Sequence, residues 1–74
     1  MANCLVKHEI DYIRGTLADA RAGLFREKSR MEYNAPGKDV ENYPIEDKDY
    51  YILLLIRIDT INRTMILTKK MECD

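Results

Sequence analysis

The stretch that decides the fold runs from Tyr50 to Ile58 and reads Tyr-Tyr-Ile-Leu-Leu-Leu-Ile-Arg-Ile. If this stretch is wound at 3.6 residues per turn, its apolar side chains point in almost every direction. A helix with a single partner needs an apolar stripe only about 100° wide. A β-strand is the alternative, because aromatic and β-branched residues favour strands. The three consecutive leucines, and the three-and-four spacing that continues downstream, favour a helix that is apolar on more than one side.

An earlier helix is predicted from the first half of the chain. Its apolar residues recur at alternating steps of three and four, which is typical of one helix face. Asn3 is the expected N-cap, and Pro36 ends the helix because it disfavours helical geometry in the residue before it. We therefore expect helix one from about residue 4 to about residue 33. Its stripe consists of Val6, Ile10, Ile13, Leu17, Ala20, Leu24 and Met31.

The deciding stretch belongs to helix two, which we expect from about residue 44 to about residue 72 after a connection over about residues 34–43. Pro44 fits the first turn, where its missing N–H costs nothing. Glu46 and Asp47 suit the positive end of the helix dipole, and Lys69 and Lys70 suit the negative end. The main apolar stripe of this helix is Tyr50/Tyr51, Leu54, Ile58, Ile61 and Met65.

Two long helices and a short connection predict an all-α fold, an antiparallel two-helix hairpin in one domain spanning residues 1–74. With the connection centred near Lys38, facing residues have numbers that add to about 77, at a rise of about 1.5 Å per residue. Ile10 then lies near Leu67, and Leu17 lies near Ile61. The two stripes meet along the whole length.

Each helix also carries a second surface that the hairpin does not use. Helix two has large apolar residues beside or behind its stripe, and helix one has a line of small residues that lets another helix approach closely. We expect these surfaces to form the interface of a homodimer, a four-helix bundle. A larger helical oligomer, a monomer with an exposed patch, and a patch reserved for a different protein are the alternatives. The expected interface residues are Gly15, Ala18, Ala22, Ile52, Leu55, Ile56 and Ile66.

One cluster near the two chain ends has residue types that suit chemistry. Cys4, His8, Glu72, Cys73 and Asp74 could lie together in the hairpin, which would allow a Cys4–Cys73 disulfide or a zinc ion. Both cysteines lie near termini, which commonly fray, and the spacing matches no familiar zinc module. Free thiols are therefore the preferred interpretation, with no metal and no cofactor.

Composition excludes several classes of function. Lys and Arg number 12 against 13 Asp and Glu, so no basic stripe favours nucleic acid. The apolar run is far shorter than the roughly 20 residues of a membrane span. The N-terminal residues lack the cationic and apolar segments of a signal peptide. We expect a cytoplasmic protein with no membrane partner.

The sequence predicts an interaction protein rather than an enzyme. No catalytic residues are predicted, because no nucleophile has a recognisable base and no glycine-rich phosphate loop is present. The leading hypothesis is a small intracellular regulator or inhibitor that binds itself and another protein through helix faces. The alternative is a helical oligomer that sequesters a small anionic, nucleotide-like ligand between subunits. Candidate contacts for the ligand or the partner are Tyr12, Arg26 and Arg30.

Overall fold

A computed structural model describes residues 4–73 of the chain. Helix α1 spans Lys7–Asn34 and helix α2 spans Ile45–Lys70. Two short 3₁₀ turns, Pro36–Lys38 and Val40–Asn42, join them. The predicted all-α helical hairpin is confirmed.

Both helices begin later than the sequence indicates. Val6 is the N-cap of α1, and its backbone N–H donates to the carboxylate of Glu9 at 3.3 Å. The prediction of Asn3 as the N-cap is therefore wrong, and Asn3 itself lies outside the described residues. Pro44 precedes α2 as its N-cap, so it stands one position before the first turn.

The core is small and follows the two predicted stripes. Leu54 and Ile58 of α2 pack towards α1, and Leu54 is only 2% exposed. Thr68 is buried where Leu67 was expected to face Ile10, and its hydroxyl donates to the Thr64 carbonyl at 2.7 Å. The buried apolar residues are Ile10, Met31, Ala35, Leu54 and Ile58.

The α1 stripe departs from the prediction at two positions. Val6 and Ala20 are exposed, whereas Ile13, Leu17 and Leu24 are half-buried. Val6 lies before the first helical residue, where the stripe has not begun. Along α1, the hairpin therefore buries a narrower strip than the sequence pattern indicates.

The connection is held by side-chain hydrogen bonds back to the backbone. The Tyr43 hydroxyl donates to the Met31 carbonyl at 2.7 Å, and the Asn42 amide donates to the Pro36 carbonyl at 2.8 Å. Gly37 has φ of 65°, the left-handed conformation that glycine adopts without strain. These bonds fix the closed end of the hairpin.

At the open end, a disulfide links Cys4 to Cys73, whose Cα atoms are 5.1 Å apart. The Leu5 N–H donates to the Met71 carbonyl, and the Cys73 N–H donates to the Leu5 carbonyl, at 2.7 and 2.8 Å. The preference for free thiols is therefore wrong. It assumed frayed termini, but these backbone bonds hold the two segments side by side. The expected cytoplasmic location stays a prediction, and a disulfide is uncommon in that compartment.

The molecule is a rod with a large surface for its size. Its Cα extents are 54 × 17 × 13 Å, and its radius of gyration is 16.4 Å. A compact domain of this length would have a radius of gyration of about 11 Å. The accessible surface is 5657 Å², against about 4700 Å² for a compact monomer of this mass. Over the described residues, neither helix is long and apolar enough to cross a membrane.

Candidate interaction surface

Contacts between the helices define two long sides of the hairpin. On one side, Arg21 donates to the side-chain amide oxygen of Asn62 at 2.7 Å, and Tyr51 donates to the Glu32 carboxylate. On the other side, Tyr50 of α2 lies near Glu27 of α1, whose pKa is lowered mainly by Arg30 and to a lesser extent by the Tyr50 hydroxyl. Successive residues of an α-helix are rotated by about 100° about its axis, so the number of residues that separates any other residue from these residues shows which side it lies on.

Four of the predicted interface residues fall on the Tyr51 side. Ala18 lies one turn before Arg21, and Leu55 lies one turn after Tyr51. Ile52 and Ile66 lie next to Leu55 around α2, whereas Gly15 and Ala22 are exposed on the outer side of α1, away from α2. We name the surface formed by Ala18 and Phe25 of α1 with Ile52, Leu55 and Ile66 of α2 the broad face.

The broad face is apolar and exposed in the single chain. Ile52 is 51% exposed, and Phe25, Leu55 and Ile66 are also exposed. Ile56, the remaining predicted interface residue, is 56% exposed and lies towards the outer edge of α2. The hairpin core uses only one apolar stripe of each helix. The sequence pattern therefore predicts that the remaining large apolar residues of α2 are exposed in a single chain, as they are here.

A depression of about 410 Å³ lies in the broad face near the closed end of the hairpin. Its apolar wall includes Val40 and Ile45, which the sequence analysis did not place at an interface. Val40 belongs to no helical repeat because it lies in a 3₁₀ turn, whereas Ile45 lies seven residues before Ile52 on the same line of α2, a spacing that could have revealed it. The lining residues are Val40, Glu41, Ile45, Lys48, Asp49, Tyr51, Ile52 and Leu55.

Hydrogen-bonded polar groups cross this face between the two helices. Lys28 donates to the Glu32 carboxylate at 2.7 Å, while Tyr51 donates to the same carboxylate. These two bonds lower the pKa of Glu32, and they raise the pKa values of the donors Lys28 and Tyr51. The arrangement ties α1 to α2 within the broad face, which is a structural role.

The three candidate ligand contacts do not form one site within a protomer. Tyr12 is 78% exposed and lines a depression of about 420 Å³ with His8, Glu9 and Ile13, which we name the Tyr12 patch. Arg26 and Arg30 lie about 21 Å and about 27 Å further along the helix, at 1.5 Å per residue. Arg30 forms an ion pair with Glu27, which raises the pKa of Arg30. This separation disfavours a shared anion site in one chain.

The cysteine cluster forms a covalent link rather than a metal site. Across residues 4–73, no group of three or more His, Cys, Asp or Glu side chains is placed to hold a metal ion. Asp74, the last member of the predicted cluster, lies outside the described residues. In this structure, Cys4 and Cys73 join the two terminal segments of the chain at the open end of the hairpin.

Comparison with protein-family models, with curated proteins and with solved structures finds no match to this chain.

Proposed function

We propose that this chain is a homodimeric interaction protein, in which two hairpins pack through their broad faces into a four-helix bundle. The observation that supports the proposal is the apolar broad face, which is exposed beside a core in which residues 4–73 bury five apolar side chains. A fully buried Leu or Ile is worth roughly 1.5–3 kcal/mol relative to an exposed one. A second copy would recover part of that free energy at Ile52, Leu55 and Ile66, which are 51%, 38% and 58% exposed in the single chain.

The dimensions of the face suit a stable dimer. A surface 54 Å long and 17 Å wide covers roughly 900 Å², and a standard interface buries about 800 Å² on each partner. Large exposed apolar patches rimmed by polar residues mark interaction sites in soluble proteins. Here the bonds from Arg21 to Asn62 and from Tyr51 to Glu32 cross between the helices within the face, so a second copy would cover these hydrogen-bonded polar groups together with the apolar residues.

The bundle would leave the Tyr12 patch open for another protein. Tyr12 lies on the side of α1 that points away from both α2 and the broad face. Tyrosine offers a large contact area and is favoured at binding hot spots. We therefore propose that the dimer binds its protein partner there, acting as a regulator or inhibitor by occupying a surface of that partner.

The dimer is tested by the mass of the chain in solution. Light scattering at micromolar concentration should give twice the chain mass of 8.7 kDa. Leu55→Glu should give a folded monomer, because it places a charge in a dry interface. Leu53→Glu is the matched control, since Leu53 is exposed to a similar extent but lies on the Tyr50 side.

Two results would contradict the dimer. One is a wild-type chain that stays at the mass of one chain. The other is an equal effect of Leu55→Glu and Leu53→Glu on the mass. If Leu55→Glu unfolds the chain by circular dichroism, Ile52→Glu replaces it, because Ile52 is more exposed and contributes less to the hairpin core.

The partner surface is tested by affinity capture from the native host with wild type and Tyr12→Ala. The wild-type dimer should retain a protein that the variant loses, while both keep the same mass and melting temperature. Phe25→Ala is unsuitable as a control because it lies in the broad face, so Tyr33→Ala, which is also highly exposed, is used instead. Identical capture by Tyr12→Ala and wild type would exclude the Tyr12 patch.

A further inference from the structure

The apolar part of the broad face belongs mainly to α2. The large exposed residues there are Ile52, Leu55 and Ile66. On the same side of the hairpin, α1 presents Arg14 and Arg21, whose guanidinium groups bond to α2. Apolar residues gain most by meeting apolar residues, whereas an arginine that they cover loses contact with water. A second copy therefore covers this face best when its α2, rather than its α1, lies against α2.

We propose that the two hairpins lie antiparallel, with α2 of each packed on α2 of the other and the closed ends at opposite ends of the dimer. The two-fold axis then crosses the rods instead of running along them. This inference rests on the proposed homodimer and specifies which helices meet in it. An antiparallel pair also places the positive end of one helix dipole towards the negative end of the other, which is favourable.

The alignment of the two helices follows from Asp59, which lies one turn after Leu55 on the same line of α2. A parallel arrangement would place each Asp59 beside the partner's Asp59. An antiparallel arrangement with Ile52 at the level of the partner's Ile66 would do the same, because it centres the axis on Asp59. Like charges that close repel each other. The alignment that joins the apolar residues without this repulsion puts Leu55 at the level of the partner's Ile66.

This alignment gives Asp59 a polar partner. In an antiparallel pair, one helix advances by a residue as the other recedes by a residue, so Asp59 lies at the level of the partner's Asn62. The Asn62 amide oxygen accepts from Arg21 at 2.7 Å, and the N–H groups of the same amide can donate to the partner's carboxylate. Within its own chain, Asp59 also pairs with Arg63 at 2.9 Å. Each carboxylate therefore keeps the partners that a charge needs in an interface.

The same alignment fills the depression of about 410 Å³ near the closed end of the hairpin. Ile52 and Leu55 form part of its apolar wall, and they lie at the level of the last turns of the partner's α2. The partner's Ile66 packs beside Leu55, and the aliphatic stem of the partner's Lys70 lies along Ile52. A surface that the single chain leaves open thus becomes part of the interface.

The charges at the two ends of α2 complement each other in this arrangement. Asp49 lines the depression near the start of α2, and Lys70 is the last residue of the helix. The alignment brings Lys70 within one helical turn, about 5.4 Å along the axis, of the level of the partner's Asp49. Lys69 pairs with Glu72 of its own chain at 2.6 Å, so we assign the contact across the interface to Lys70. The two-fold axis forms this ion pair twice.

The first test exchanges charge between subunits where Leu55 meets the partner's Ile66. Leu55→Lys and Ile66→Glu each place two unpaired charges in a dry interface, so each should raise the dissociation constant of its homodimer at least about 100-fold. In a mixture, one contact pairs the new lysine with the new glutamate, and the other keeps Leu55 against Ile66. Native mass spectrometry, with one variant isotopically labelled, should show the mixed dimer in excess over both homodimers.

A second pair of variants leaves the apolar residues untouched. Asp49→Lys and Lys70→Glu each place like charges together twice in the homodimer, and only their mixture restores both ion pairs. Asp49 and Lys70 are exposed in the single chain, so these variants keep the hairpin fold, which circular dichroism checks. Each homodimer should be weakened about 10-fold, and the preference for the mixed dimer should fall at high salt.

A control mixture distinguishes this alignment from a parallel one. Leu55→Lys is mixed with Ile52→Glu, because the proposed alignment separates these two positions by about 21 Å along the axis. In a parallel arrangement they would lie within one turn of each other across the interface. A mixed dimer favoured as strongly in the control as in the mixture with Ile66→Glu would overturn the antiparallel alignment.

The failures are distinguishable. If wild type is a dimer but neither exchange favours the mixed dimer, the antiparallel packing of α2 is wrong and the homodimer stands. If wild type is a monomer, the proposed function fails first. If Leu55→Lys does not fold, the exposed pair Asp49→Lys and Lys70→Glu decides the question.

Discussion

The two ends of the hairpin are held by different chemistry. The open end has a covalent bond between Cys4 and Cys73, supported by two backbone hydrogen bonds to Leu5. The closed end relies on the Tyr43 hydroxyl, the Asn42 amide and the conformation of Gly37. The open end joins residues separated by 69 positions in the chain, whereas the connection closes a short loop. The entropy that the chain loses when two positions are brought together grows with the number of residues between them. Holding the open end together therefore costs more entropy than holding the connection, and a covalent bond offsets that cost.

The largest predicted effect comes from breaking the open end. Replacing both cysteines with Ser should lower the free energy of unfolding by about 4 kcal/mol, because the link removes the freedom of a long loop from the unfolded chain. Urea denaturation at fixed protein concentration measures the change. Wild type treated with a thiol reductant should match the double variant.

A loss below about 1 kcal/mol would mean that the disulfide does not constrain the unfolded chain as its loop length requires. The single variants Cys4→Ser and Cys73→Ser serve as controls for effects of the serine side chain. Each should be as unstable as the double variant, since each alone abolishes the bond.

The closed end should give a smaller effect of the same sign. Gly37→Ala should destabilise the fold by roughly 1–2 kcal/mol, because a side chain is strained at positive φ. The added Cβ would also lie 3.2 Å from the Asn42 amide nitrogen, which holds the turn. Thermal and urea unfolding measure the change.

Gly23→Ala is the control for the same substitution within a helix. Its Cβ would meet only the far end of the Arg26 side chain, at 3.8 Å. It should stabilise the fold by up to about 1 kcal/mol, since Ala favours helix more than Gly does. If the two alanine variants shift stability in the same direction, the backbone conformation of Gly37 is not what holds the turn.

The smallest effect is a dependence on pH that differs between the ends. Lys28 and Tyr51 lower the pKa of Glu32, and Lys69 alone is the main cause of the lowered pKa of Glu72. A carboxyl with a lowered folded pKa contributes stability above its ordinary value of 4.5, and that contribution is lost as the pH falls through the folded pKa.

Glu32→Gln should therefore flatten the loss of stability between about pH 5 and pH 3 more than Glu72→Gln does, because Glu32 has two hydrogen-bond donors. Urea midpoints across this range measure the slopes. If Glu72→Gln flattened the curve more than Glu32→Gln did, the conclusion that Glu32 contributes more to the acid sensitivity of the fold than Glu72 would be wrong.

Much of the fold could be predicted because each helix carries its own signal. The spacing of Ile10, Leu54 and Ile58 predicted which side each helix buries. The same reasoning missed Thr68, because a polar residue is buried only when its hydroxyl finds an acceptor, here the Thr64 carbonyl. That acceptor is visible only once the helix exists.

The candidate surface could be predicted in part. The residues left over from the hairpin core were identified from spacing alone, and the structure leaves the large ones exposed. The depression beside them could not be predicted, because Val40 lies in a 3₁₀ turn with no repeat to reveal it. The separation of Tyr12 from Arg26 could have been predicted, because 14 residues of one helix span about 21 Å.

The sequence by itself determined two helices, their order and the stripe on each, because helical periodicity is a local property. Only the tertiary structure decided that Cys4 and Cys73 are bonded, because that depends on backbone bonds between segments at opposite ends of the chain. Only the tertiary structure also placed Ala18 and Phe25 of α1 on the same side of the rod as Leu55 of α2. The relative rotation of two helices is set by their packing, which neither helix encodes alone.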